Sequence, residues 1–278
     1  MSIRTDLVLE ESENRACVDG IFIKETKNGD VTVTYTDIKS DEAQKALSKE
    51  KGKYVTIEFK SFSQLDSYEE LTQSLLSALG ELLPNISDNI MLVGLGNSDI
   101  TPDALGPFVA NKILATRHIK KSMSDELGLS GLKSVSVITP GVLGKTGIEA
   151  AELVMYAAEK IKPNAIIVVD ALAARSPARL CNTIQLTDSG ISPGSGVHNK
   201  RRELSQKIMG VPVIAIGVPT VVDISKSKNL CDIETSENMI VTPNDIDSKI
   251  SEASEIISRA LNIFLQPEID RDLLLNLV

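Results

Sequence analysis

Two aspartates stand out for the chemistry that their positions permit. Asp170 directly follows four β-branched residues, Ile166 to Val169, in the run AIIVVDALAARS. It is expected where such a strand ends, at the rim where open α/β sheets receive their ligands. Asp103 lies in TPDALGP, beyond the apolar run IMLVGL and a glycine-rich loop, and is expected at the same sheet edge. Each also has an ordinary structural role, because Asp caps segments, closes turns and complements the first turn of a helix. What lifts the pair is the shared edge. Two carboxylates brought close do not both ionise at little cost, so one holds a proton and the two can act as base and acid on a bound water. That is the minimal equipment for hydrolysing a peptide bond without a metal or a covalent nucleophile.

Other motifs fail on detail. Gly94-x-Gly96 after a strand has the start of a dinucleotide fingerprint, but Asp99 stands at the third glycine position, where an anion would repel a pyrophosphate. Gly144-Lys145-Thr146 ends like a phosphate-binding loop, yet Thr139 occupies the position of the required first glycine. Gly194-Ser195-Gly196 is not a nucleophile elbow, and His198 reads as a loop residue rather than a triad base. His118, beside Arg117 and Lys120, reads as part of a solvated face. With two histidines and three scattered cysteines, Cys17, Cys181 and Cys231, a zinc site is not expected, nor is any cofactor.

The elements that must carry these residues follow from periodicity. Short β-like runs, Ala16 to Lys24, Val31 to Tyr35 after an Asn-Gly-Asp turn, and Lys53 to Phe59, predict a small antiparallel extension over 7–88. It ends in a helix carrying Leu71, Leu75, Leu79 and Leu82, with a Ser67/Glu70 capping box and a stop before Pro84. From 89 to 223 the pattern becomes α/β, a largely parallel sheet with helices on both faces. Its strands are Ile90 to Leu95, Val135 to Ile138, Ala165 to Val169 and Val211 to Gly217. Helices are expected near Gly106, after Thr146 in a second capping box with Glu149, and near Asn199. Residues 224–240 read as a surface connection. A helix over 241–265 follows, capped by Thr242 with Pro243 at its first position and burying Ile246, Ile250, Ala253, Ile257 and Leu261.

Composition narrows the function. The chain has 278 residues, a net charge of −9 and no arginine-rich stripe, which argues against a reader of duplex DNA, since such proteins face phosphates with many cations. No run approaches the roughly 18 apolar residues of a membrane span, and the start MSIRTDLVLEESENR lacks a secretory apolar region, so no membrane partner is expected. Three cysteines in no paired pattern fit a reduced, cytoplasmic chain.

Taken together, RTDL at Arg4 to Leu7, VGLGN, TPDALGP, PGVLGKTGIE, VVDALAARS, TIQLTDSGISPGSGVHNKRRELS, GVPVIAIGVPTVVD and MIVTPNDID resemble the germination proteases of spore-forming bacteria. The resemblance implies an endopeptidase of the spore core that degrades small acid-soluble DNA-coating proteins early in germination. It implies a zymogen that removes its own propeptide, here residues 1–6, and a homo-oligomer. The family's two proposed catalytic aspartates match Asp103 and Asp170. Cleavage after an acidic and before an apolar residue points to Asp6-Leu7 as the processing site, although such a segment is by default a frayed terminus. Arg175 is a candidate partner for the substrate's acidic residue, or equally an ordinary salt bridge. Backbone N–H groups at Gly141 or Gly194 are candidates for stabilising the oxyanion. The connection at 224–239 is shorter than the family's.

The GxGN and strand-end Asp arrangement also resembles hydrogenase maturation endopeptidases, which implies a core of that type. It leaves a metal-dependent endopeptidase as the alternative enzyme. A non-catalytic module that sequesters a basic protein is the alternative outside enzymes, although no single-sign charge run supports it.

Overall fold

A computed structural model describes residues 5–13, 18–62, 68–85, 88–119, 131–192, 203–223 and 240–276. Nine strands among them form one sheet: β1 (Ile21–Asn28), β2 (Val31–Ile38), β3 (Gly52–Glu58), β4 (Asn89–Gly94), β5 (Ser134–Ile138), β6 (Ala165–Ala174), β7 (Thr183–Thr187), β8 (Val213–Asp223) and β9 (Ile240–Val241). Their order is β1-β2-β3-β7-β8-β6-β4-β5, with β9 on the end of β8. The four strands β8-β6-β4-β5 run parallel. The others join antiparallel, so the amino-terminal meander continues the core sheet through β7.

The helices are α1 (Val8–Ser12), α2 (Asp41–Leu47), α3 (Glu69–Leu82), α4 (Leu105–Ala110), α5 (Leu143–Thr146), α6 (Ala150–Ile161), α7 (Gln206–Met209), α8 (Ile246–Leu265) and α9 (Arg271–Asn276). Strand alternation sorts the core onto two faces. Ile90, Leu92, Ile167 and Val169 pack with α3, α4 and α8. Met91, Val93, Ile166 and Val168 pack with Ala150, Ala151 and Val154 of α6. Helices therefore cover both faces, as the apolar strand runs require.

Several local expectations are corrected. β6 does not stop at Val169. It continues through Asp170 to Ala174, because β8 runs equally far and supplies a ladder partner for each added residue. The alanines of that stretch, poor β-formers by propensity, hid this from the sequence. TIQLT forms β7, too short and too polar to announce itself, and it is the strand that stitches the extension to the core. The capping residues also differ. Helix α3 has Tyr68 at its N-cap without a side-chain hydrogen bond, and Ser67 lies outside the described residues. Thr146 ends α5, and Glu149 itself is the N-cap of α6. The last long helix starts at Ile246, not at 241, because Thr242 turns away to donate to the Thr220 carbonyl at 2.8 Å. Its expected stripe is buried throughout. The expected helix start near Asn199, Gly194, His198, Cys17, Cys231 and the connection over 224–239 lie outside the described residues.

Candidate active site

Asp170 shares its face of β6 with Ile166 and Val168, but it sits beyond the α6 packing. The floor there opens into a cleft of about 840 Å³ lined by Asp103, Asp170, Gly96, Gly141, Gln185, Thr220 and the amino-terminal Asp6. Asp170 is 6% exposed, and its Oδ1 accepts from the Ala171 N–H at 2.9 Å. Its ladder partner on β8 is Gly217, which leaves room on that side for the Leu172 side chain: a Cβ at Gly217 would lie 2.4 Å from Leu172 Cγ.

Asp103 reaches the cleft on a single 3-10 turn, Thr101–Asp103. That turn is pinned three ways. The Asn97 N–H donates to the Asp103 carbonyl at 2.8 Å, and the Asp103 N–H donates to the Ile100 carbonyl at 2.8 Å. The third tie is the Thr220 hydroxyl, which donates to the Pro102 carbonyl at 2.7 Å. Thr220 is fully buried where the β6–β8 register shifts, and that irregularity aims it at the turn.

The glycines of the VGLGN and ALGP motifs let this turn pack directly on the sheet. A Cβ on Gly94 would meet the Gly106 carbonyl oxygen at 2.3 Å, and one on Gly96 (φ +115°) would meet that of Asp103 at 2.0 Å. Close backbone approach, rather than a bound phosphate, accounts for the Gly-x-Gly spacing. Beyond the cleft lining, Lys145 of α5 pairs with Asp99. The hydrogen bond and charge of Lys145 hold the Asp99 carboxyl below the usual carboxylate range.

The extension closes the remaining wall, which sequence reasoning missed. Tyr54 of β3 donates its hydroxyl to the Glu50 carbonyl at 2.7 Å, and burial pushes its phenol up to about 12. Lys49 donates to the Thr5 carbonyl at 2.7 Å. The amino-terminal segment lies along the end of β6. The Asp6 N–H donates to the Ala173 carbonyl at 2.9 Å, and the Ala173 N–H donates back to Asp6 Oδ2 at 2.8 Å. Leu7 is fully buried among Leu172, Ala174, Leu180 and Val222. Burying a leucine contributes about 1.5–3 kcal/mol, enough to hold a short segment in place. Segment 5–13 is thus docked rather than frayed.

Of the remaining candidates, Gly141 lines the cleft with φ +71°. Arg175 is placed differently: its backbone N–H donates to buried Glu10, and its guanidinium holds the Glu10 carbonyl at 3.0 Å and the Glu11 carboxylate. Among the described residues no group of three or more His, Cys, Asp or Glu side chains is arranged to hold a metal ion. No described helix is long and apolar enough to cross a membrane.

The profile of the germination protease family matches residues 3–233. The chain belongs to the germination protease family. A germination protease of Clostridium tetani is 40% identical across 97% of both chains, and one of Clostridium perfringens is 37% identical across 96% of both. One of Oceanobacillus iheyensis is 43% identical over 80% of this chain and 64% of its own. Among solved structures, a NiFe hydrogenase maturation protease of Thermococcus kodakarensis aligns with 66% of this chain and 98% of its own, at 17% identity and a TM-score of 0.39. As a germination protease the chain acts on proteins, and the cleft has the volume to receive a peptide.

Proposed function

We propose that this chain is the spore endopeptidase that hydrolyses small acid-soluble DNA-coating proteins, using Asp103 and Asp170 as one acid/base pair. The observation that carries the reading is that both carboxylates line one cleft, from different elements of the fold. The pair shares one proton. The ionised carboxylate takes a proton from water as the oxygen attacks the scissile carbonyl, and the protonated partner gives its proton to the leaving amine as the C–N bond breaks. One carboxylate has then gained a proton and the other has lost one, so a proton exchange restores the pair. The N–H at Gly141 is the described candidate for stabilising the oxyanion, with Gly194 as the second.

In this reading residues 1–6 are a propeptide and the chain processes itself between Asp6 and Leu7. The docked segment 5–13 supports this, since Asp6 itself lines the cleft. The enzyme works in the cytoplasm of the spore core as a homo-oligomer. Its net charge of −9 suits action on proteins rather than on the DNA they coat.

The test is incubation of the chain with a small acid-soluble spore protein, followed by mass spectrometry of both. The unaltered chain should come to begin at Leu7 and should cut its substrate after acidic residues. Asp103→Asn and Asp170→Asn should each abolish both reactions while leaving thermal unfolding cooperative. Full activity in either variant would eliminate the dyad. Loss of activity on chelation, restored by a divalent cation, would point to the metal-dependent type instead.

A further inference from the structure

We propose that Thr242 is a positioning residue for Asp103, acting through Thr220, so that the short strand β9 and the residue after it hold the catalytic turn in place. The inference rests on the reading of Asp103 above and deepens it.

Strand register leaves Thr220 without a ladder partner among the described residues. On one side β8 is paired with β7 from Ala215 to Gly217 and with β9 at Val222 and Asp223. On the other side its register with β6 passes from Pro219 directly to Val221. Thr220 is nonetheless fully buried. A buried carbonyl requires a donor, and here a side chain supplies what neither neighbouring strand does. The Thr242 hydroxyl donates to the Thr220 carbonyl at 2.8 Å.

The same residue holds the catalytic turn, because Thr220 Oγ1 donates to the carbonyl of Pro102, the residue before Asp103, at 2.7 Å. A β-branched side chain has few χ1 choices, so the orientation of the Thr220 backbone sets where its hydroxyl points. Where the register is interrupted the ladder does not fix that orientation. The bond from Thr242 does. Thr242 is in turn held from both sides. Val241 before it packs against the cluster of Leu7, Leu172, Ala174, Leu180 and Val222. Pro243 after it confines the Thr242 backbone to extended conformations. Ile240, two residues earlier, lines the cleft. One short segment thus forms part of the cleft wall and, through two hydroxyl-to-carbonyl bonds, secures the turn that carries Asp103.

The test uses the full chain, allowed to process itself, and a synthetic peptide with the sequence of residues 4–11, RTDLVLEE. Thr242 is exposed, so Thr242→Val should leave urea unfolding cooperative. It should lower kcat about fivefold, the worth of one hydrogen bond, with KM within about twofold. Thr242→Ser, which keeps the hydroxyl, should restore kcat to within about twofold of the unaltered chain. Because Thr242 acts through Thr220, the double variant Thr220→Val/Thr242→Val should be no slower than Thr220→Val alone. Unaltered kcat in Thr242→Val, a Thr242→Ser chain as slow as Thr242→Val, or losses that multiply in the double variant would overturn the assignment. So would a raised KM at unaltered kcat, which would make β9 a binding wall only. Should Thr242→Val fail to fold, Thr242→Ala lacks the same hydroxyl and is judged by the same outcomes. Full activity in Asp103→Asn would bring down the dyad and this assignment with it, whereas an inactive Asp103→Asn beside a Thr242→Val chain of normal kcat overturns the assignment alone.

Discussion

Replacing Gly96 with alanine tests whether the glycine motif exists to seat Asp103. A Cβ at this position would lie 2.0 Å from the Asp103 carbonyl oxygen and 3.2 Å from Asp103 Oδ1, and the backbone φ is +115°. Restoring even a 3.0 Å approach requires about 1 Å of movement, and the obstacle is backbone, which cannot rotate aside. The movement falls on the turn that carries the aspartate and breaks the Asn97-to-Asp103 bond of 2.8 Å. A misplacement of about 1 Å in a catalytic group costs on the order of 100-fold in rate. Backbone strain and the lost hydrogen bond together cost roughly 2–4 kcal/mol of stability. Gly144→Ala is the control, since a Cβ there meets nothing within 4 Å. The assay is kcat for cleavage of a synthetic peptide with the sequence of residues 4–11, RTDLVLEE, alongside urea unfolding of the two variants and the unaltered chain. Gly96→Ala with unaltered kcat and stability, or a loss as large in Gly144→Ala, would refute the argument.

Thr220→Val keeps shape but removes the hydroxyl that holds Pro102; it should lower stability by about 1 kcal/mol and kcat roughly tenfold with little change in KM, measured by unfolding and peptide cleavage. Alkaline pH should weaken the fold through two buried acids. Burial pushes the Cys181 thiol from 9.0 and the Tyr54 phenol from 10.0, each up to about 12. Both folded values lie above the unfolded ones, so the contribution is complete below pH 9 and is lost as pH rises toward 12. At about 1.4 kcal/mol per unit this amounts to several kcal/mol. Urea midpoints between pH 8 and 11 should fall steeply, and less steeply in Cys181→Ala; equal slopes would contradict the assignment.

The strongly apolar strands and the long carboxy-terminal helix were legible because their periodicity is set by burial, and burial is written in residue type. The helix boundaries were less so. Thr146 and Thr242 have the residue types of caps, but their hydroxyls are used by Ile148 and Thr220, choices that depend on what lies nearby in space. β7 escaped notice because its five residues, TIQLT, gain their strand conformation from β3 and β8 on either side and not from their own propensity.

The same division holds at the site. Sequence alone singled out carboxylates as the candidate groups for the chemistry, because histidine and cysteine are scarce and two aspartates follow apolar runs. The resemblance to germination proteases also singled out Asp6-Leu7 as the candidate processing site. Tertiary structure alone decided that Asp170 lies within a continuing strand, that the Leu172 side chain fills the space over its ladder partner Gly217, and that Gln185, Thr220 and Lys49 reach the same cleft from distant parts of the chain. The physical reason is range: a residue's type fixes what it can donate, accept or bury, whereas strand register and close backbone packing fix what stands opposite it.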